Sequence, residues 1–131
     1  RLGLYRRLST LESRPEIDAF AAELVDRFGE YTDEVAHLLD VMEIKGLCRQ
    51  AAIAQVDAGP KGAVIGFHKS TFANPEGLIA LVQKSRGLIK VQPDQRLVFK
   101  AEWDLPEARL RGVRGLVTEL AALASKGRKA A

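Results

Sequence analysis

The chain has 131 residues, 47% of them apolar and 28% charged, which suits one soluble globular domain with a sizeable core. No apolar run approaches the roughly 20 residues of a membrane span, no signal-peptide pattern opens the chain, and the lone Cys48 excludes an internal disulfide and predicts a reducing cytoplasm. The net charge of +3 is unevenly spread: residues 1–50 hold seven Lys/Arg against ten Asp/Glu, and residues 51–131 hold thirteen against seven. That asymmetry allows an acidic contact face on the first half and a weakly basic one on the second, short of the basic stripe of a dedicated nucleic-acid binder.

The chain begins at Arg1 and enters a helical pattern at once, so a domain excised from a longer protein is expected. Leu4, Tyr5, Leu8 and Leu11 form the stripe of a first helix. After Pro15, the residues Ile17, Phe20, Ala21, Leu24, Val25 and Phe28 keep helical spacing and predict an amphipathic second helix. Gly29 suits the left-handed residue that ends many helices. Thr32 is placed to cap a third helix, with Asp33 and Glu34 in its first turn. Val35, Leu38, Leu39, Val41, Met42, Leu47 and Cys48 spread over more than half its circumference, which predicts a central helix packed on two sides.

The pattern then changes. IAQVDA and AVIGF are short, rich in β-branched residues and flank Gly59-Pro60-Lys61-Gly62, so they read as a hairpin. Asn74-Pro75-Glu76 opens a helix running to about Ser85. LIKVQ and RLVFKAEW alternate around Pro93-Asp94 as a second hairpin. Asp104 and Glu107 form a capping-box-like start for a last helix with the stripe Leu110, Val113, Val117, Leu120 and Ala124. Gly112 and Gly115 each cost that helix about 1 kcal/mol relative to Ala, either tolerated or there to let another backbone approach. The expected fold is therefore α+β: three N-terminal helices (about residues 1–52), then ββαββα with an antiparallel four-stranded sheet (about 53–125), then a frayed basic tail (126–131), all as one domain.

Cys48 sits in an apolar helical pattern and reads as a structural thiol. His37 and His68 are isolated, with no ligand cluster at zinc spacing, and no paired acid/base emerges. No catalysis, metal or cofactor is expected of this chain. The glycine loop lacks the spacing and the Ser/Thr of a phosphate-binding loop and leads into a strand. Gly59 and Gly62 do have the spacing of a GxxG nucleic-acid clamp, but such a clamp joins two helices. A hairpin turn is the better reading. A nucleic-acid module using Lys61, Lys69, Lys84, Arg86, Lys90 and the basic tail stands as the alternative.

The more informative irregularity is the end of the second helix, AAELVDRFGE. Glu23 and Asp26 are neighbours on the face opposite the apolar stripe. Asp26 lies in the last turn, where the helix dipole disfavours an acid by a few tenths of a kcal/mol. Glu23 can pair with Arg27 at i+4, whereas Asp26 has no partner within the helix. Two accounts stand side by side: a solvated acidic face, or a docking site for a basic partner.

ELVDRFG, following RLGLYRRLSTLES, resembles the C-terminal domain of bacterial transcription-repair coupling factors, the Mfd family. DAGPKGAVIGF, NPEGLIALVQK and QPDQRLVFK follow in that family's order, so the resemblance spans nearly the whole chain. It implies a parent that is an ATP-driven DNA translocase, using ATP and magnesium in modules upstream of this chain. That parent displaces stalled RNA polymerase and recruits nucleotide excision repair. The resemblance also implies a non-catalytic, autoinhibitory role for this domain, monomeric in isolation. It would dock on the parent's UvrB-like module and hide the surface that binds UvrA. The family's acidic contacts fall on Glu23 and Asp26, with Arg27 added as the residue orienting Glu23.

Overall fold

The computed structural model describes residues 2–130. The chain divides into two compact units, Arg1–Leu47 and Cys48–Ala131.

The first unit is helical: α1 Leu2–Ser9, α2 Arg14–Phe28 and most of α3, Asp33–Gln50. α2 starts where it does because Ser13 and Glu16 form a capping box. The Glu16 N–H donates to Ser13 Oγ at 3.3 Å, and the Ser13 N–H donates to Glu16 Oε1 at 3.2 Å. These bonds satisfy backbone donors that a helix start otherwise leaves orphaned. Pro15 fits the first turn, where its missing N–H costs nothing. α2 stops at Gly29, whose φ of 81° and ψ of −166° lie outside the expected left-handed helical well, in a region that glycine alone adopts freely. Thr32 caps α3 as expected, its Oγ1 accepting from the Val35 N–H at 3.3 Å.

Leu8, Leu11, Ile17, Phe20 and Leu39 form the core of this unit, with Leu4, Ala21, Leu24, Val35, Leu38 and Met42 half-buried around it. Along α3 only Leu39 and Gly46 are fully buried, while Val35, Leu38, Val41, Met42, Ile44 and Leu47 are half-buried. Gly46 is buried for a backbone reason. A Cβ there would lie 2.0 Å from the Glu12 carbonyl oxygen, so the chain entering α2 crosses directly over α3.

The second unit runs β1 Ile53–Gly59, β2 Gly62–Phe67, α4 Pro75–Lys84, β3 Ile89–Val91, β4 Leu97–Lys100 and α5 Pro106–Ala130. All strand pairs are antiparallel, in the order β1-β2-β4-β3. Direct pairing puts Ala63 with Phe99 and Ile65 with Leu97, and Ile89 with Phe99. Those residues therefore share one face. Ala63, Ile65, Leu97 and Ile89 are buried, as are Val113, Leu116, Val117, Leu120, Ala121 and Ala124 of α5. Asn74 caps α4 through its side-chain oxygen, which accepts from the Gly77 N–H at 2.9 Å.

Two boundaries in this unit differ from expectation. α5 begins at Pro106, and the Leu105 carbonyl accepts from the Arg109 N–H at 3.0 Å, so Leu105, not Asp104, stands at the cap. Proline's fixed φ at the first helical position outweighs the acidic pattern one residue earlier. Residues 126–130, expected as a frayed tail, continue α5. Ala, Lys and Arg are good helix formers, and Arg128 and Lys129 sit in the last turn, where the dipole favours cations. Trp103, read as the end of a strand, lies beyond β4 and is buried.

Candidate protein-docking site

The glycine loop is a two-residue turn. Gly59 pairs with Gly62 across Pro60 and Lys61. Its carbonyls are taken by the chain after β4: Pro60 accepts from the Trp103 N–H at 2.7 Å and Lys61 from the Ala101 N–H at 3.0 Å. Gly62 has φ 129°, and a Cβ there would lie 1.9 Å from the Phe99 carbonyl oxygen. The glycine serves the approach of β4, and the loop leads into a strand rather than a helix N-terminus.

The basic residues of the nucleic-acid reading fall on several elements. Lys61 sits at the hairpin tip and Lys69 follows the far end of β2, about 20 Å away for six extended residues. Lys84 and Lys126 line a cleft between α4 and α5 that Glu76 and Glu119 share. Lys90 lies on β3, and Arg86, with φ 54°, in the turn before it.

The end of α2 is different. Glu23 is reached from α1 by Arg7, whose Nη2 donates to Oε1 at 3.0 Å and whose Nη1 donates to Oε2. Arg27 Nη1 adds a bond to Oε2 at 3.4 Å, the i+4 pair read from the sequence. The Arg7 guanidinium also lies over the buried Phe20 ring, 5.1 Å from its centroid, a cation–π placement. Chiefly through the Arg7 hydrogen bonds, with Arg27 adding to them, the Glu23 carboxyl is held below its ordinary value. Asp26 is exposed and has no ion pair or side-chain hydrogen bond among the described residues.

The apolar stripe of α2 also ends short of expectation. Val25 and Phe28 are exposed, Phe28 by 64%, and Arg27 lies 5.7 Å from the Phe28 ring centroid. Helical spacing marks both residues as core, but the last turn of α2 finds no cover among the described residues. Arg7 is the site residue that the sequence did not reveal. It lies 16 positions before Glu23, and only the packing of α1 against α2 brings the two together.

Cys48 is half-buried rather than fully buried. Burial pushes its thiol above the ordinary value, against the opposing pull of Arg49. Among the described residues no cluster of three His, Cys, Asp or Glu is placed to hold a metal, and no helix is long and apolar enough to cross a membrane.

Three helices leading into a ββαββα sheet define an α+β domain, with a held acid and a free one side by side at the end of α2. The TRCF domain model matches residues 1–78, and the chain belongs to that family. Curated relatives named transcription-repair-coupling factor include those of Rickettsia bellii, 37% identical over 99 residues (76% of this chain and 9% of the relative), and Haemophilus influenzae, 34% over 111 residues (85% and 10%). That of Escherichia coli is 30% identical over 120 residues, covering 92% of this chain and 10% of the relative. The chain thus spans about a tenth of the length of these relatives. A solved structure described as the C-terminal domain of transcription-repair coupling factor has the same fold, with a TM-score of 0.73 over 95% of this chain and 81% of that one, at 22% identity.

Proposed function

We propose that this chain is a non-catalytic, autoinhibitory interaction domain of a cytoplasmic transcription-repair coupling factor. The parent is an ATP-dependent DNA translocase that displaces stalled RNA polymerase and recruits nucleotide excision repair. In the restrained state, the acidic end of α2 docks on basic residues of the parent's UvrB-like module and masks the surface that binds UvrA. ATP and magnesium act in the parent's motor, and this domain uses no cofactor of its own. The observation supporting the reading is the exposed, unpaired Asp26 one turn from Glu23, a carboxylate already fixed in place by Arg7 and Arg27. Fixing the carboxylate in advance lowers the entropy cost of docking.

The test is a titration of this chain with the separately produced UvrB-like module at two salt concentrations. Binding is expected to weaken with salt, and the double variant Glu23→Lys, Asp26→Lys to lose about tenfold or more in affinity. Asp26→Lys alone, which breaks no ion pair or side-chain hydrogen bond among the described residues, is expected to lose part of it at an unchanged melting temperature. Unchanged affinity in the double variant would sink the site assignment. A parallel filter-binding titration with an oligonucleotide addresses the nucleic-acid alternative, for which sub-micromolar affinity with a steep salt slope is the signature.

A further inference from the structure

A second site lies in the Cys48–Ala131 unit, away from α2 in sequence and in chemistry. Between the sheet and α5 there is a slot of about 330 Å³, walled by Phe99, Trp103, Ile89 and Leu116. The two aromatic rings lie 5.5 Å apart at 43°. Gly115 forms part of the lining, and a Cβ built there would meet nothing within 4 Å, so the helix surface is bare at that point. Arg111 and Glu119 stand one turn before and one turn after Gly115 and also line the slot. Both are exposed and neither has an ion-pair partner among the described residues. The slot is thus apolar at its centre, with a free cation at one end and a free anion at the other.

The slot adjoins an open sheet edge. Among the described residues β3 is the last strand in the order and pairs only with β4. The Leu88 carbonyl accepts from the Lys100 N–H and the Gln92 N–H donates to the Arg96 carbonyl, so those residues face β4. By alternation, Ile89 and Val91 turn their backbone outward. The Ile89 N–H is taken by Ser85 Oγ at 3.0 Å, which leaves the Ile89 carbonyl and both Val91 backbone groups unclaimed among the described residues. Leu88 and Val91 are 51% and 45% exposed beside them.

We infer that this edge and slot together bind an extended peptide segment of a partner protein, added as a strand beside β3. The segment carries a large apolar side chain into the slot, with an acidic and a basic residue two positions to either side of it. Strand addition supplies backbone hydrogen bonds, and alternate side chains supply the selectivity. The residue opposite Val91, where the N–H and the carbonyl are both free, points to the same face as Ile89, which is the face that opens on the slot. The charge spacing fits as well. Arg111 and Glu119 are eight helical residues apart, about 12 Å, and same-face residues four apart in an extended chain are about 13 Å apart.

Trp103 is the only tryptophan in the chain and lines the slot, so its emission reports occupancy. The probes are the capped pentapeptides Glu-Val-Phe-Val-Lys and Lys-Val-Phe-Val-Glu, titrated into the intact chain. One of the two is expected to shift Trp103 emission saturably and to bind about fivefold or more tighter than the other, and replacing its Phe by Ala is expected to abolish the shift. Gly115→Leu fills the slot from a helical position with open space and is expected to remove binding with no loss of melting temperature. The charge-swapped double variant Arg111→Glu, Glu119→Lys is expected to reverse the preference between the peptides. No shift with either peptide, undiminished binding by folded Gly115→Leu, or an unreversed preference in the charge-swapped protein would each overturn the inference.

Discussion

Glu23 is a side chain that the fold itself holds and that the proposed docking would also use. Its bonds to Arg7 and Arg27 favour the ionised form, so its folded pKa lies below the ordinary 4.5. A carboxyl with a depressed folded pKa contributes stability that is fully present above its unfolded value and is lost as pH falls through the folded one. The clasp between α1 and α2 is therefore intact at neutral pH and released in acid. A side-chain carboxyl NMR titration is expected to place the Glu23 midpoint below 4.5, and Arg7→Gln to move it back up. A midpoint unmoved by Arg7→Gln would contradict the assignment. Gly112 and Gly115 make a second contrast at this scale, because the sequence treats them alike. A Cβ at Gly112 would lie 2.2 Å from Trp103 Cζ2, whereas one at Gly115 meets open space. It is a side chain, the indole, that needs Gly112, not a second backbone. Gly112→Ala is expected to destabilise by about 1–3 kcal/mol through overpacking, and Gly115→Ala to stabilise by up to about 1 kcal/mol through helix propensity. Thermal or denaturant melts of the two variants test the opposite signs.

Among the elements, those whose causes are local were legible and those whose causes are distant were not. Asn74-Pro75-Glu76 announces α4, and the capping geometry matches it. Both hairpins lie where turn residues interrupt alternating apolar residues. The capping box at Ser13 and Glu16 is equally local, with Pro15 inside it masking the pattern. Ser13→Ala is expected to cost about 1 kcal/mol, measured as a lower denaturant midpoint with an unchanged slope. A changed slope would mean that the fold itself had been altered. At the start of α5 two local signals compete within three residues, and proline wins. The exposure of Val25 and Phe28 had no local signal at all. Periodicity reports which face of a helix is apolar, while cover depends on what lies against each turn. The arrangement of the candidate site was legible to the same degree: the placement of Glu23, Asp26 and Arg27 follows from spacing along one helix, but that of Arg7 depends on how α1 and α2 pack.

For the molecule as a whole, the net charge of +3 is a poor guide to its contacts. Arg1–Leu47 holds six Lys/Arg against ten Asp/Glu, and Cys48–Ala131 holds fourteen against seven. Screening confines electrostatic influence to about 8 Å at physiological salt, so a partner meeting the end of α2 senses Glu23, Asp26, Arg7 and Arg27 rather than the total. The proposed docking then assigns opposite signs to two neighbouring residues. Asp26→Asn removes an unpaired negative charge and is expected to slow association with the basic UvrB-like module. Arg27→Gln removes an exposed positive charge while Arg7 still holds Glu23, and is expected to speed association. Both changes should be severalfold at low ionic strength and shrink together as salt is raised, because rim charges act mainly on the association rate. Stopped-flow measurements at three salt concentrations separate this from the other role open to Arg27, that of orienting Glu23. If orientation dominates, Arg27→Gln slows binding or hastens dissociation, with little dependence on salt. In that case the surface presents a built recognition geometry rather than a local field, and Glu23 becomes the residue on which docking turns.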